Sequence, residues 1–235
     1  MLDYESIILE SANQIKTNLE DGGDIQEEKK KFYKIVQDIK VHAIKSDQVL
    51  DVISDIRTIL VNDWRPKQHS IISGVVLWCS SITLGGLLIY LRDLPFFPIN
   101  SIWLLILNWV LVFLGWFLIN AGVHNFGHYL AGKIVGIGFK GWVTFNFFGQ
   151  WALIIDYKSY LKASFNKRQA VHISGPFCTL AAPWIFFLII LHPLMLGIAI
   201  YMIIASIPLI LRKGWDYGRI FKERKLKKQY KKLAS

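Results

Sequence analysis

The chain has 235 residues, 53% of them apolar, with nine Trp and fifteen Phe, a composition richer in apolar residues than soluble domains of this length usually show, which makes a membrane protein the first expectation. Its formal charge of +10 is unevenly spread, residues 1–66 holding 9 Lys/Arg against 13 Asp/Glu and residues 67–235 holding 18 against 4. The basic residues gather at the borders of apolar runs, which excludes a nucleic-acid-binding face, and the two cysteines, Cys79 and Cys178, sit inside apolar stretches and exclude a disulfide framework or a Cys-type zinc site.

Residues 1–66 are predicted to form a cytosolic region of amphipathic helices. Phe32, Ile35, Val36 and Ile39 recur at helical spacing, as do Val49, Leu50, Ile53, Ile56 and Leu60, and "EDGGD" at 20–24 breaks the first helix. Mutual packing of these stripes is the expected use, with recruitment of a protein partner as the alternative. The first sixty residues lack an apolar signal-peptide core, so the N-terminus is expected to stay in the cytosol.

Four apolar runs follow, near 70–91, 101–123, 171–191 and 194–211, each approaching or exceeding the ~20 residues a helix needs to cross a bilayer. "RDLPFFPIN" (92–100) separates the first two and "LHP" (191–193) the last two. The segment at 136–157 mixes aromatic and β-branched residues with glycines and is predicted to form short strands or a hairpin, shielded by protein or lining a wet cavity. Arg65 and Lys67 precede the first run, six basic residues lie between the second and third, a lysine-rich segment follows the fourth, and Arg92 alone falls on the other side. Four spans with both termini cytosolic satisfy that bias, and the basic tail suits anionic lipid headgroups. The predicted class is therefore an all-α, multi-pass integral membrane protein with a short membrane-associated β segment, divided into 1–66, a membrane core at 67–222 and a basic tail at 223–235.

"AGVHNFGHYLAG" (121–132) places His124 and His128 four residues apart. On a helix these positions share a face, so both imidazoles can reach one metal ion. In the four-span topology Asp216, just beyond the last run, lies at the same depth, and it is one of only four acidic residues after Asp63. Two imidazoles and a carboxylate leave a fourth position open, as catalytic zinc requires. The competing reading of Asp216 is a surface carboxylate pairing with Lys213 or Arg219.

"HNFGHYLAGK" (124–133), the strand-like segment after it, "HISGPFCTLAAP" (172–183) and "IPLILRKGWDYGRIFK" (207–222) occur in an order that resembles the site-2 protease family of intramembrane zinc metalloproteases. That family reads HExGHxxxG, a membrane-associated β segment, GPxxN, and a late Pro-rich stretch closing on an Asp-Gly ligand motif. The resemblance spans roughly residues 70–222. It implies that His124, His128 and Asp216 are Zn2+ ligands, that Gly175 and Pro176 form a kinked loop facing them at the substrate, and that a membrane or membrane-proximal peptide is the substrate. The chain departs from the pattern in three places. Asn125 stands at the general-base Glu, Thr179 stands at the Asn of GPxxN, and Tyr217-Gly218 follow the Asp at an unusually long distance from Pro208.

Asn125 bears directly on chemistry. In such enzymes a carboxylate takes a proton as a metal-activated water attacks the peptide carbonyl, then passes it to the leaving nitrogen, and an amide cannot shuttle it. Three functions are therefore open. One is a metalloprotease impaired at Asn125, with peptide entry by strand addition to the β segment at 139–155. The second is a pseudoprotease that binds or escorts a membrane peptide without cleaving it. The third, a small transporter or channel component, is disfavoured because almost no charge lies within the runs. Asp156 is the other carboxylate near the same border and a candidate substitute base. His42, His69, His172 and His192 are read as structural.

Overall fold

The computed structural model describes residues 2–63, 67–91, 101–144, 151–191, 193–211 and 215–234. The expectations that concern Arg65, residues 92–100, His192 and Lys213 fall outside them. The elements run α1 (Leu2–Glu20), α2 (Ile25–His42), α3 (Asp47–Asp63), β1 (Lys67–His69), α4 (Ile71–Leu91), α5 (Ile102–Val135), β2 (Phe139–Thr144), β3 (Trp151–Ile155), α6 (Tyr157–Lys162), α7 (Phe165–Ile190), α8 (Pro193–Leu211) and α9 (Trp215–Ala234). The chain is mostly helical, and α4, α5 and α7 are long and apolar enough to cross a membrane. The fourth predicted run coincides with α8, whose apolar segment Pro193–Pro208 is shorter than those three.

Two compact units form, and they draw on stretches from all three predicted regions. The first comprises Met1–His69, Gly132–Gln169 and Phe221–Ser235, and the second Ser70–Ala131 and Ala170–Ile220.

In the first unit the amphipathic stripes pack on one another. Ile8, Ala12 and Ile15 of α1, Phe32, Val36 and Ile39 of α2, and Leu50, Ile53 and Ile56 of α3 are all buried. Each of these side chains except Ala12 stabilises by about 1.5–3 kcal/mol when removed from water. The break after α1 is followed by Asp24, whose side chain accepts from the Gln26 and Glu27 N–H groups and so caps α2. Helix α6 adds a surface for α3 that the sequence did not announce, as six residues are too few to show a period. The predicted strand segment forms β2 and β3, antiparallel from Thr144↔Trp151 to Phe139↔Ile155 with an irregularity between Phe139 and Gly141. A third strand, β1, pairs antiparallel with β2 and gives the order β1-β2-β3. Three residues cannot display alternation, so β1 was invisible in the sequence.

The second unit is built from helices with apolar residues on both inner and outer faces. Inside, Ile89, Val112, Trp116, Ile119, Ala182, Met195 and Ile198 form one buried cluster. Outside, Ile72, Trp103, Phe113, Phe117 and Leu188 are exposed, the arrangement expected of helices whose solvent is lipid. Where α4 crosses α5, a Cβ on Gly85 or on Gly115 would run into the backbone carbonyl of the other. Only hydrogen side chains allow the two backbones to approach so closely.

Candidate metal centre

Helix α5 continues past the predicted end of its span to Val135, so His124, Asn125 and His128 all lie within it. Asp216 lies in the first turn of α9, where the unpaired N–H groups favour a negative side chain. These elements bring His124, His128 and Asp216 together, with one donor atom from each lying within 4.8 Å of the others.

The geometry could hold a shared metal ion. His124 Nε2 is 3.4 Å and His128 Nε2 is 3.3 Å from Asp216 Oδ2. Ligands bound at ~2.0–2.1 Å around a tetrahedral ion stand about 3.3–3.4 Å apart, so these separations match the edge of such a site. The far side of each ring fixes which nitrogen faces inward. His128 Nδ1 lies 2.5 Å from the Val171 carbonyl, which can only accept, so Nδ1 carries a proton and Nε2 is the nitrogen that faces Asp216, donating to it when protonated and offering a lone pair to a cation when not. His124 Nδ1 is 2.9 Å from Thr179 Oγ1, a hydroxyl able to accept in the same way. Both Nε2 atoms thus point at Asp216 Oδ2, an arrangement that either imidazole–carboxylate hydrogen bonding or a shared metal ion satisfies.

Asp216 uses its two oxygens differently. Oδ2 faces the imidazoles, while Oδ1 is 3.7 Å from Arg219 Nη1, the partner named in the competing reading, although the carboxylate is largely buried and not at the surface. Burial alone would raise its pKa, but hydrogen bonds to His124 and His128, with the His128 and Arg219 charges, outweigh burial and hold the carboxyl well below its usual range. It is therefore ionised and ready to ligate at any physiological pH.

Gly175 and Pro176, expected in a kinked loop, lie inside α7. A Cβ at Gly175 would collide with the His128 imidazole, so glycine is what lets α7 lie against that ring. Pro176 and Thr179 line a cavity of about 130 Å³ together with His124, Asp216, Met202 and Tyr217. Its other walls, Leu180 and Ala205, are apolar, and Ser206 is engaged with the Ile203 carbonyl. Asn125 is 7% exposed and is not part of that wall. Asp156, the candidate substitute base, instead caps α6 by accepting from the Ser159 N–H. Of the other histidines, His42 donates to the Asp38 carbonyl, His69 stacks on Trp142 at 4.4 Å and His172 is buried.

Sequence reasoning placed Thr179 by motif position alone, whereas its contact is with a ligand's outer nitrogen. It missed Val171 altogether, because that contribution is a backbone carbonyl and leaves no residue signature. Replacing Thr179 by Val, which keeps the shape and removes the hydroxyl, is expected to weaken metal binding ~10- to 100-fold, while Ser retains it. Chelator competition on the purified protein measures this, and equal affinities for Val and Ser variants would show that the hydroxyl does not orient His124.

No protein-family model, curated protein or solved structure matches this chain.

Proposed function

We propose that this chain is a multi-pass membrane zinc protein of site-2-protease type, with four spans and both termini in the cytosol. It holds Zn2+ through His124, His128 and Asp216 and receives a membrane or membrane-proximal peptide, whose hydrolysis is impaired by Asn125. The observation that carries the reading is the convergence of two imidazole Nε2 atoms on one carboxylate oxygen of Asp216, at 3.4 and 3.3 Å. Two nitrogens and one oxygen are a donor set suited to zinc, with a fourth position left for substrate or water.

When bound, zinc supplies a Lewis acid that polarises a carbonyl and acidifies water. The protein's own groups do the rest. Val171 and Thr179 hold the rings in the ligating tautomer, and the apolar cavity wall keeps bulk water from competing and accepts an apolar segment. What the wall lacks, among the described residues, is a carboxylate other than the ligand Asp216 to carry a proton to the leaving nitrogen. That lack favours a second reading, a pseudoprotease that binds or escorts a membrane peptide without cutting it.

The metal centre is tested on detergent-purified protein by measuring zinc per chain. The wild type is expected to hold one zinc, and His128→Ala and Asp216→Ala are expected to lose more than ~100-fold in affinity, since each removes a whole ligand and second-sphere changes alone cost 10- to 100-fold. Zinc retained equally in all three, or never taken up by the wild type, would sink the proposal.

A further inference from the structure

The first unit contains a cavity of about 170 Å³ between the end of α2, the start of α7 and α9, with Lys40, Lys45, Lys162 and Arg168 in its wall. No carboxylate lines it among the described residues. A single water needs only about 10–15 Å³ of such space, so a group of several heavy atoms fits.

The inner wall is built and over-positive. Arg168 is 2% and Lys40 8% exposed, and both face one carboxylate, Glu223, itself buried. Glu223 Oε1 takes Lys40 and the Tyr160 hydroxyl, and Oε2 takes Arg168 Nε at 2.8 Å, so its capacity is used by two cations. Arg168 Nη1 donates to the Ala163 and Leu161 carbonyls. Its described hydrogen bonds thus run from Nε and Nη1. At the rim Lys162 is shared with the exposed Asp47, and Lys45 is exposed.

The backbone adds donors of the same sign. Ser164 and Phe165 belong to the wall, and the first helical bond of α7 runs from the Arg168 N–H to the Ser164 carbonyl. The N–H groups of Phe165, Asn166 and Lys167 therefore have no intrahelical acceptor, and the positive end of the helix dipole lies at the cavity. Buried guanidinium donors, two lysines at the rim and a helix N-terminus converge on one space.

We propose that this cavity is a binding site for a phosphate group, carried either by a phospholipid headgroup or by a soluble phosphate. A planar guanidinium beside flexible ammonium groups is the combination that matches phosphate oxygens. Binding there would tie α2, α7 and α9 of this unit through one ligand.

The test uses the full chain in phosphatidylcholine nanodiscs at constant ionic strength, titrated with inorganic phosphate, and in parallel nanodiscs with and without phosphatidic acid, read by calorimetry and thermal shift. Binding of inorganic phosphate identifies a soluble source, and stabilisation only by phosphatidic acid identifies a lipid one. Either supports the site, provided that the Lys45→Gln, Lys162→Gln double variant weakens binding about tenfold or more. A matched variant at the exposed end of α9, Lys231→Gln with Lys232→Gln, is expected to bind as the wild type does. Failure to bind either probe overturns the proposal. So does an equal loss in both variants, which would mark diffuse attraction to a basic chain.

Discussion

On the protease reading proposed above, Asn125→Glu is expected to raise peptide hydrolysis by about 10²- to 10⁴-fold, the usual worth of general acid–base help. The physical reason is the proton. In the proposed reaction a water that attacks a peptide carbonyl must give up a proton that finally arrives at the leaving nitrogen, and the Asn125 amide neither takes nor gives it. A glutamate at the residue following His124 supplies both halves of the transfer. Asn125 is 7% exposed, so the extra methylene presses on its neighbours at a cost of about 1–3 kcal/mol. Asn125→Asp, nearly isosteric with the amide, avoids that pressure but lacks the reach, and its gain is expected to be smaller. Zinc content and melting temperature are measured on each variant alongside cleavage of a transmembrane peptide. A folded, zinc-loaded Asn125→Glu chain that cleaves nothing would remove the protease reading and leave the peptide-binding one.

The second large effect is on stability. Glu223→Ala is expected to destabilise the protein by about 3–5 kcal/mol, because it strands Lys40 and Arg168 in the interior with no counter-charge. For a chain of this size that is a fall in melting temperature of roughly 6–20 °C. Replacing Lys40, Arg168 and Glu223 together by Met, Met and Leu removes every charge of that network at once and is expected to restore most of the loss. The same network sets a pH dependence. Burial opposes ionisation of Glu223, but Lys40 and Arg168 outweigh it and lower its pKa below 4.5. Its contribution is thus full above pH 4.5 and is lost as pH falls through the depressed value. Burial pushes the Lys40 ammonium down from 10.5 to about 8 despite Glu223, so between pH 8 and 10.5 the unfolded chain binds more protons and this residue's share of stability rises with pH. Acid and alkaline melts of wild type and Glu223→Ala check both signs. Parallel wild-type and mutant curves below pH 4.5 would mean that the carboxylate is not the group that titrates.

Much of this molecule was legible in the chain itself. Apolar runs are set by composition, and the bilayer's need for apolar helices is non-directional, so α4, α5 and α7 could be read directly. Helical spacing identified the buried stripes of α2 and α3, and the His124/His128 interval together with the scarcity of late carboxylates singled out Asp216. What the sequence could not carry were contacts made by backbone, by very short elements or across long separations. The Val171 carbonyl that fixes a tautomer has no side chain to announce it, β1 is too short to show a period, and Glu223, read as part of a basic tail, is the buried centre of an ion network joining residues 183 positions apart. Composition and periodicity determined which segments avoid water and which residue types can hold a metal, because those depend on each residue's own solvation and ligand chemistry. Tertiary structure alone decided which ring nitrogen faces Asp216 and which carboxylate is buried, because both are set by neighbours that chain proximity does not supply.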